Sequence, residues 1–280
     1  MTNSPGFFTP ELWRAVIQGC KHWLPFRKMG KIHYITSKIS SENAIQAVLK
    51  LERSVVGVKC HGTGVAPKGN IALITMTTWD GEVYIFDVKI NPDLMYDGGL
   101  MRLLQSVDLI KVLHDCSVDS ANLFGQFGVK LQNIYDTQLA YSVIMEGRGL
   151  PPRRLSLPAL CDKYKIARYS PSRELQRLLN DDPNVWARRP ITRDMLNTAA
   201  ADALPLVPAL YIDLNSSLPE DKWEWFCHLC EQNSLSLLPC KKYAKRRPKT
   251  GLAPHELPVY TLADWQEKNM RESCPEQHKL

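Results

Sequence analysis

The chain has 280 residues, 44% hydrophobic and 23% charged, which is ordinary globular usage and excludes disorder throughout. That length accommodates one large domain or two modest ones. No apolar run approaches the ~18 residues of a membrane-spanning helix, and there is no basic start followed by an apolar stretch at the N-terminus. Eight cysteines are too few for a disulfide scaffold, so composition predicts a soluble protein of a reducing compartment, with no membrane partner.

The net charge of +6 is unevenly placed. Residues 148–193 hold eleven Lys or Arg against four Asp or Glu, and residues 241–249 hold six basic residues and no acid. Such a segregated field suits a polyanionic partner. A solvated helical face plus a basic tail reads equally well from charge alone.

In chain order, Thr9-Pro10 caps a predicted helix carrying Leu12, Val16 and Cys20, an N-terminal helical extension over 1–30. A strand over Lys31–Thr36 leads to Ser40-Ser41 and an amphipathic helix with Ala44, Ile45, Val48, Leu49 and Leu51 inside. Three strands follow, Val55–Cys60, Ile71–Thr78 and Glu82–Val88. Asp80-Gly81 makes the last two a tight antiparallel hairpin. The pattern then alternates: helix Leu100–Leu104, strand Leu109–His114, helix Asp119–Phe127, strand Asn133–Tyr135, and a helix that Asp136 caps. After Gly147 come the loop Pro151-Pro152-Arg153-Arg154 and helices at Ser156–Tyr164, Ser172–Leu179 and Thr192–Leu210. Beyond Leu238 a basic, largely extended tail is expected, with a short helix at Thr261–Asn269. This order predicts an α/β fold, a mixed five- or six-stranded sheet with an antiparallel hairpin and helices on both faces. The expected units are 1–30, the main domain 31–215, and a C-terminal helix with basic tail, 216–280.

Several local segments carry a resemblance: Tyr34-Ile35-Thr36, Val56-Gly57-Val58, His114-Asp115-Cys116, Phe127-Gly128-Val129-Lys130-Leu131, Asp136-Thr137-Gln138 and the late Ala200-Ala201-Asp202-Ala203-Leu204. Together they resemble the DEDD 3′-to-5′ exonucleases, most nearly the ribonuclease D branch, over residues 31–215. The resemblance implies a ribonuclease H-like 3′-5′ exonuclease fold. It also implies two divalent metals held by a D-x-E pair on a strand, an aspartate in a later helix and a final aspartate, with a tyrosine one turn before that last aspartate to orient water. Clustered carboxylates suit such chemistry because Mg²⁺ takes hard oxygen ligands and two ions stabilise both the attacking and the leaving oxygen.

The chain departs from that pattern. Lys59-Cys60-His61 stands where D-x-E is expected, Thr198 where the tyrosine is expected, and only Asp119 and Asp202 keep their carboxylates. An ammonium at Lys59 repels a dication, and one imidazole with two aspartates does not rebuild a two-Mg²⁺ site. Lys59 reads as a substitute cation neutralising Asp119 and Asp202; the alternative is a side chain that points elsewhere. No catalytic residue, metal or other cofactor is therefore expected. Within the branch the degenerate site and basic tail are most similar to animal germline exonuclease-like proteins associated with piRNA biogenesis. That resemblance implies an inactive nuclease fold that binds single-stranded RNA as an adaptor. It further implies a homodimer beside a Tudor-domain partner in the cytoplasm, within germ granules, with nuclear entry left open. An altered-ligand exoribonuclease and a pure protein scaffold are the other readings, and an mRNA-localisation adaptor domain is a second resemblance.

Arg148, Arg153 and Arg154 follow the Asp136 helix, beside the groove that the resemblance makes the substrate path. Lys241, Lys242, Lys245, Arg246, Arg247 and Lys249 read as an RNA arm, a nuclear import signal or a solvated tail. Cys227-x-x-Cys230 with Cys240 and His255 has a zinc-like opening, but Trp223, Trp225 and Phe226 point instead to a helix carrying the cysteines as small apolar residues. Cys116 and Cys161 read as buried structural thiols.

Overall fold

The computed structural model describes residues 30–63 and 70–238. The N-terminal helix expected near Leu12–Cys20, the basic run 241–249 and the short helix at 261–269 lie outside the described residues, as do Cys240 and His255.

The chain opens with β1 (Ile32–Ile35) and α1 (Lys38–Leu49), followed by β2 (Val55–Thr63), β3 (Asn70–Thr78) and β4 (Val83–Phe86). Ser37, three residues before the expected start, caps α1 by accepting the Ser40 N–H at 3.2 Å. Next come α2 (Leu100–Leu104), β5 (Ile110–Leu113), α3 (Cys116–Phe127), β6 (Ile134–Asp136) and α4 (Thr137–Gly147). The rest is helical: α5 (Leu157–Lys163), α6 (Arg173–Asp181), α7 (Arg193–Ala203), α8 (Tyr211–Ser217) and α9 (Trp223–Leu235).

The strands form one six-stranded sheet in the order β1-β4-β3-β2-β5-β6. β3 lies antiparallel between β2 and β4, while β1 joins β4, β5 joins β2 and β6 joins β5 in parallel. The Asp80-Gly81 hairpin forms as expected, because glycine supplies the positive φ of 89° that the turn requires.

Both faces are covered. Val56, Val58, Ile74 and Met76 pack under α1, α2 and α3, while Leu73, Val83 and Ile85 meet Ala199 and Ala200 of α7. Gly57 lets α7 sit close: an added Cβ would lie 2.5 Å from Thr77 Oγ1 and 3.1 Å from the Ala203 carbonyl. Thr77 Oγ1 donates to that same carbonyl at 3.2 Å. The close approach brings the end of α7 over β2.

Two sequence expectations are corrected. The helix expected over 192–210 stops at Ala203. Pro205 lacks an N–H, and Val207, which precedes Pro208, is driven to φ −136°, ψ 131°. Those prolines also interrupt Arg193–Ser217, which has the length and apolarity of a membrane-crossing helix but is mostly buried in the fold. Secondly, the main unit continues through Leu238 rather than ending near 215. Trp225, Phe226 and Cys230 of α9 are buried, and Asn233 reaches Asp136 at 3.1 Å, so α9 belongs to the domain.

β5 buries a lysine. Lys111 is fully enclosed, with its ammonium donating to the carbonyls of Ser106 and Leu109. Burial pushes its pKa down to about 7, against a partial restoring pull from Asp108. The folded-state value thus lies below the unfolded one of ~10.4. Below pH 7 both states hold the proton and the burial penalty is fully present. Between pH 7 and 10 only the folded state releases it, so stability rises. Relative to Lys111→Met, the wild type should gain roughly 2–4 kcal/mol over that interval in urea titrations. A constant difference between the two proteins would contradict this.

Candidate functional site

Strand alternation places Gly57, Lys59 and His61 on the face under α7, with Thr75 opposite Lys59 and Leu73 opposite His61. α3 begins just after β5 and presents Asp119 in its first turn. Lys59 Nζ donates to Asp119 Oδ2 at 3.0 Å, the lysine side chain 29% exposed and the aspartate 7%. Burial alone would lower the Lys59 pKa. The Asp119 carboxylate outweighs it, and the ammonium is held above its usual range.

His61 is buried against Trp186, with ring centroids 4.4 Å apart. Its Nδ1 lies 3.9 Å from Asp202 Oδ2. Burial first, and the Lys59 charge second, push its pKa down to about 3, so the ring is neutral and the contact is not an ion pair. Asp202, near the C-terminal end of α7, has its pKa raised by burial, with Lys59 and Arg168 opposing. The lysine therefore neutralises Asp119 directly and Asp202 only at longer range, a correction to the expectation that it serves both. Thr198, one turn before Asp202, is buried and its hydroxyl donates to the Asp194 carbonyl at 2.8 Å.

These residues do not fit a two-ion site. An ammonium sits on the Asp119 oxygen that a dication would need, and the nearest imidazole is buried with Nε2 unpartnered. No cluster of three or more His, Cys, Asp or Glu side chains arranged for a metal occurs among the described residues. What the arrangement offers is one cation, one half-exposed carboxylate and an aromatic wall.

The rim is basic. Arg148 follows α4, and Arg153 and Arg154 lie in an irregular segment, all three exposed. That segment is pinned where Leu155's carbonyl accepts from His114 Nε2 at 3.0 Å and Gln138 Nε2 at 3.1 Å. Not all of the basic region is free: Arg189 forms a two-pronged pair with buried Asp87, both contacts 2.6 Å, and Arg188 pairs with Asp182 at 2.7 Å.

Trp186 and Arg168 were not singled out from the sequence. Trp186 lies in a short turn with no periodicity, and Arg168 is one basic residue among many in its region. Cys227 and Cys230 lie on α9, and burial pushes both thiols up, Cys227 to about 12, which disfavours the thiolate that zinc requires. Cys116 and Cys161 are buried as expected.

The sequence matches the 3′-5′ exonuclease domain family over residues 32–219. Among curated proteins it is similar to mouse piRNA biogenesis protein EXD1, 29% identical over 175 residues, covering 60% of this chain and 30% of that protein. It is also similar to the Caenorhabditis elegans Egalitarian protein homolog, 26% identical over 198 residues, covering 68% of this chain and 34% of that one. The matched stretch thus spans about a third of these relatives' own length. Among solved structures, Trypanosoma brucei RNase D superposes with a TM-score of 0.59 at 18% identity, covering 72% of this chain and 71% of that one. The sheet order, the antiparallel hairpin and the family match over most of the chain agree: the chain belongs to the 3′-5′ exonuclease family.

Proposed function

We propose that this chain is a catalytically inactive exonuclease-like protein that binds single-stranded RNA and serves as an adaptor in piRNA biogenesis. The observation that carries the reading is the Lys59 ammonium 3.0 Å from Asp119, where cleavage chemistry would need a metal. Thr198 adds to it, because its hydroxyl is committed to the helix backbone. The exposed Arg148, Arg153 and Arg154 supply phosphate contacts. The names of the curated relatives supply the biological setting. The proposal includes a homodimer, a Tudor-domain partner and residence in cytoplasmic germ granules, with the run Lys241–Lys249 as a second RNA arm.

A working nuclease is the second reading, favoured by the survival of Asp119 and Asp202 in one site. End-labelled single-stranded RNA incubated with Mg²⁺ or Mn²⁺ separates the two. The expected result is intact RNA, and 3′ shortening abolished by Asp119→Ala would establish the nuclease. Binding of the same RNA should weaken steeply with salt. Replacing Arg148, Arg153 and Arg154 by alanine should reduce the log–log salt slope by about 2, at ~0.7 per phosphate contact. Salt-independent or absent binding would favour a protein scaffold.

A further inference from the structure

We propose that Ser156 is a phosphorylation site for a basophilic Ser/Thr kinase, and that its modification weakens RNA binding by the neighbouring arginines. The second half rests on the RNA reading above.

The segment Arg153-Arg154-Leu155-Ser156-Leu157 places guanidinium groups three and two residues before a hydroxyl and an apolar side chain one after it. Kinases that select basic substrates hold such arginines with carboxylates, where planar two-pronged pairing is strong, and discriminate by charge pattern. The structure leaves the segment available. Residues 147–154 are all exposed, residues 151–156 have no regular structure, and Ser156 is exposed with an extended backbone at φ −66°, ψ 156°. Its Oγ accepts the Ala159 N–H at 3.4 Å, which leaves the hydroxyl proton unused. Neither Arg153 nor Arg154 is in an ion pair among the described residues. The segment rises between two anchors, the Leu150 N–H on the Met145 carbonyl at 3.0 Å and the Leu155 carbonyl under His114 and Gln138.

One other described hydroxyl, Thr192, also has an arginine three residues before it. That arginine is Arg189, whose guanidinium is committed to buried Asp87, so no kinase can read it in the folded protein. Structure thus separates two sites that share part of a sequence pattern.

In the transfer, Ser156 Oγ forms a bond to the γ-phosphorus of ATP, the bond to the β–γ bridging oxygen breaks, ADP leaves, and the hydroxyl proton passes to the kinase's base. The product carries about −1.5 to −2 charge beside Arg153 and Arg154 and competes intramolecularly with RNA phosphates for them. A phosphate oxygen can still accept the Ala159 N–H, so α5 is retained.

The test uses the full chain, the purified catalytic subunit of cAMP-dependent protein kinase and Mg-ATP, with sites located by peptide mass spectrometry. Phosphate should appear on Ser156, be absent there in Ser156→Ala, and form on the order of tenfold more slowly in Arg153→Ala, while Thr192 stays unmodified. No phosphate on Ser156, or an unchanged rate in Arg153→Ala, overturns the site. Binding of a labelled oligouridylate should then weaken on the order of tenfold in the phosphoprotein and not in Ser156→Ala treated alike. Equal binding before and after modification overturns the regulatory half. If the unmodified protein binds no RNA, the RNA reading fails and the modification site stands.

Discussion

Asp136→Ala should lower the unfolding free energy by about 4 kcal/mol, the largest loss expected of any single substitution considered. The carboxylate is fully buried at the junction of β6 and α4. It accepts the N–H groups of Asp115 at 3.0 Å, Cys116 at 2.9 Å, Gln138 at 2.9 Å and Leu139 at 3.4 Å, and the side-chain amide of Asn233 at 3.1 Å. One group thus satisfies the open ends of two helices and ties α9 to both. It also helps to hold Asp115 in a left-handed conformation, φ 53°, which is uncommon for a non-glycine residue. Removing a helix cap costs about 1 kcal/mol, and each buried donor left unpaired costs ~1–3 kcal/mol more. Asp136→Asn keeps one acceptor oxygen but turns an amide toward donors, so about half the loss is expected. Urea unfolding of the three proteins measures this. A loss below about 1 kcal/mol for the alanine variant would mean that water replaces the carboxylate.

Asp136 also shows where sequence reading stops. Its capping of the following helix is legible because an aspartate before Thr137-Gln138 is a local signal. Its grip on Asn233 joins residues 97 apart, and the Arg189–Asp87 pair joins residues 102 apart, so no local pattern announces either. The sheet was legible for the opposite reason: the strand-sized apolar run opening Ile71–Thr78 and the Asp80-Gly81 turn are short-range instructions. The break after Ala203 was readable in principle, since Pro205 and Pro208 both oppose helix, but the apolar periodicity of 192–210 masked it. The candidate site's members, Lys59, Asp119 and Asp202, were reached through the family resemblance, since nothing in their own spacing joins them. Its internal pairing was not, since which aspartate takes the lysine depends on how far α7 settles over Gly57.

That pairing sets the last prediction. If Lys59 holds a place that metal chemistry would otherwise fill, Lys59→Ala should cost about 1–3 kcal/mol, as for removing one partner of a partly buried pair. The cause is Asp119, left without a counter-ion 3.0 Å away. Adding Asp119→Ala should then recover most of the loss, because the uncompensated charge goes with it. Asp202→Asn should recover less, since Asp202 feels the lysine only at range. Converting the strand pair instead, with Lys59→Asp and His61→Glu, gathers four carboxylates whose mutual repulsion demands cations. This variant should be less stable than wild type in chelator and regain about 2.7 kcal/mol with Mn²⁺ at 100 times its Kd. Cleavage should not return with it, because Thr198 still directs its hydroxyl to the Asp194 carbonyl. Thermal melts with and without Mn²⁺ resolve each step. If Lys59→Ala melts like the wild type, and the four-carboxylate variant melts identically in Mn²⁺ and chelator, the lysine does not occupy a metal's place.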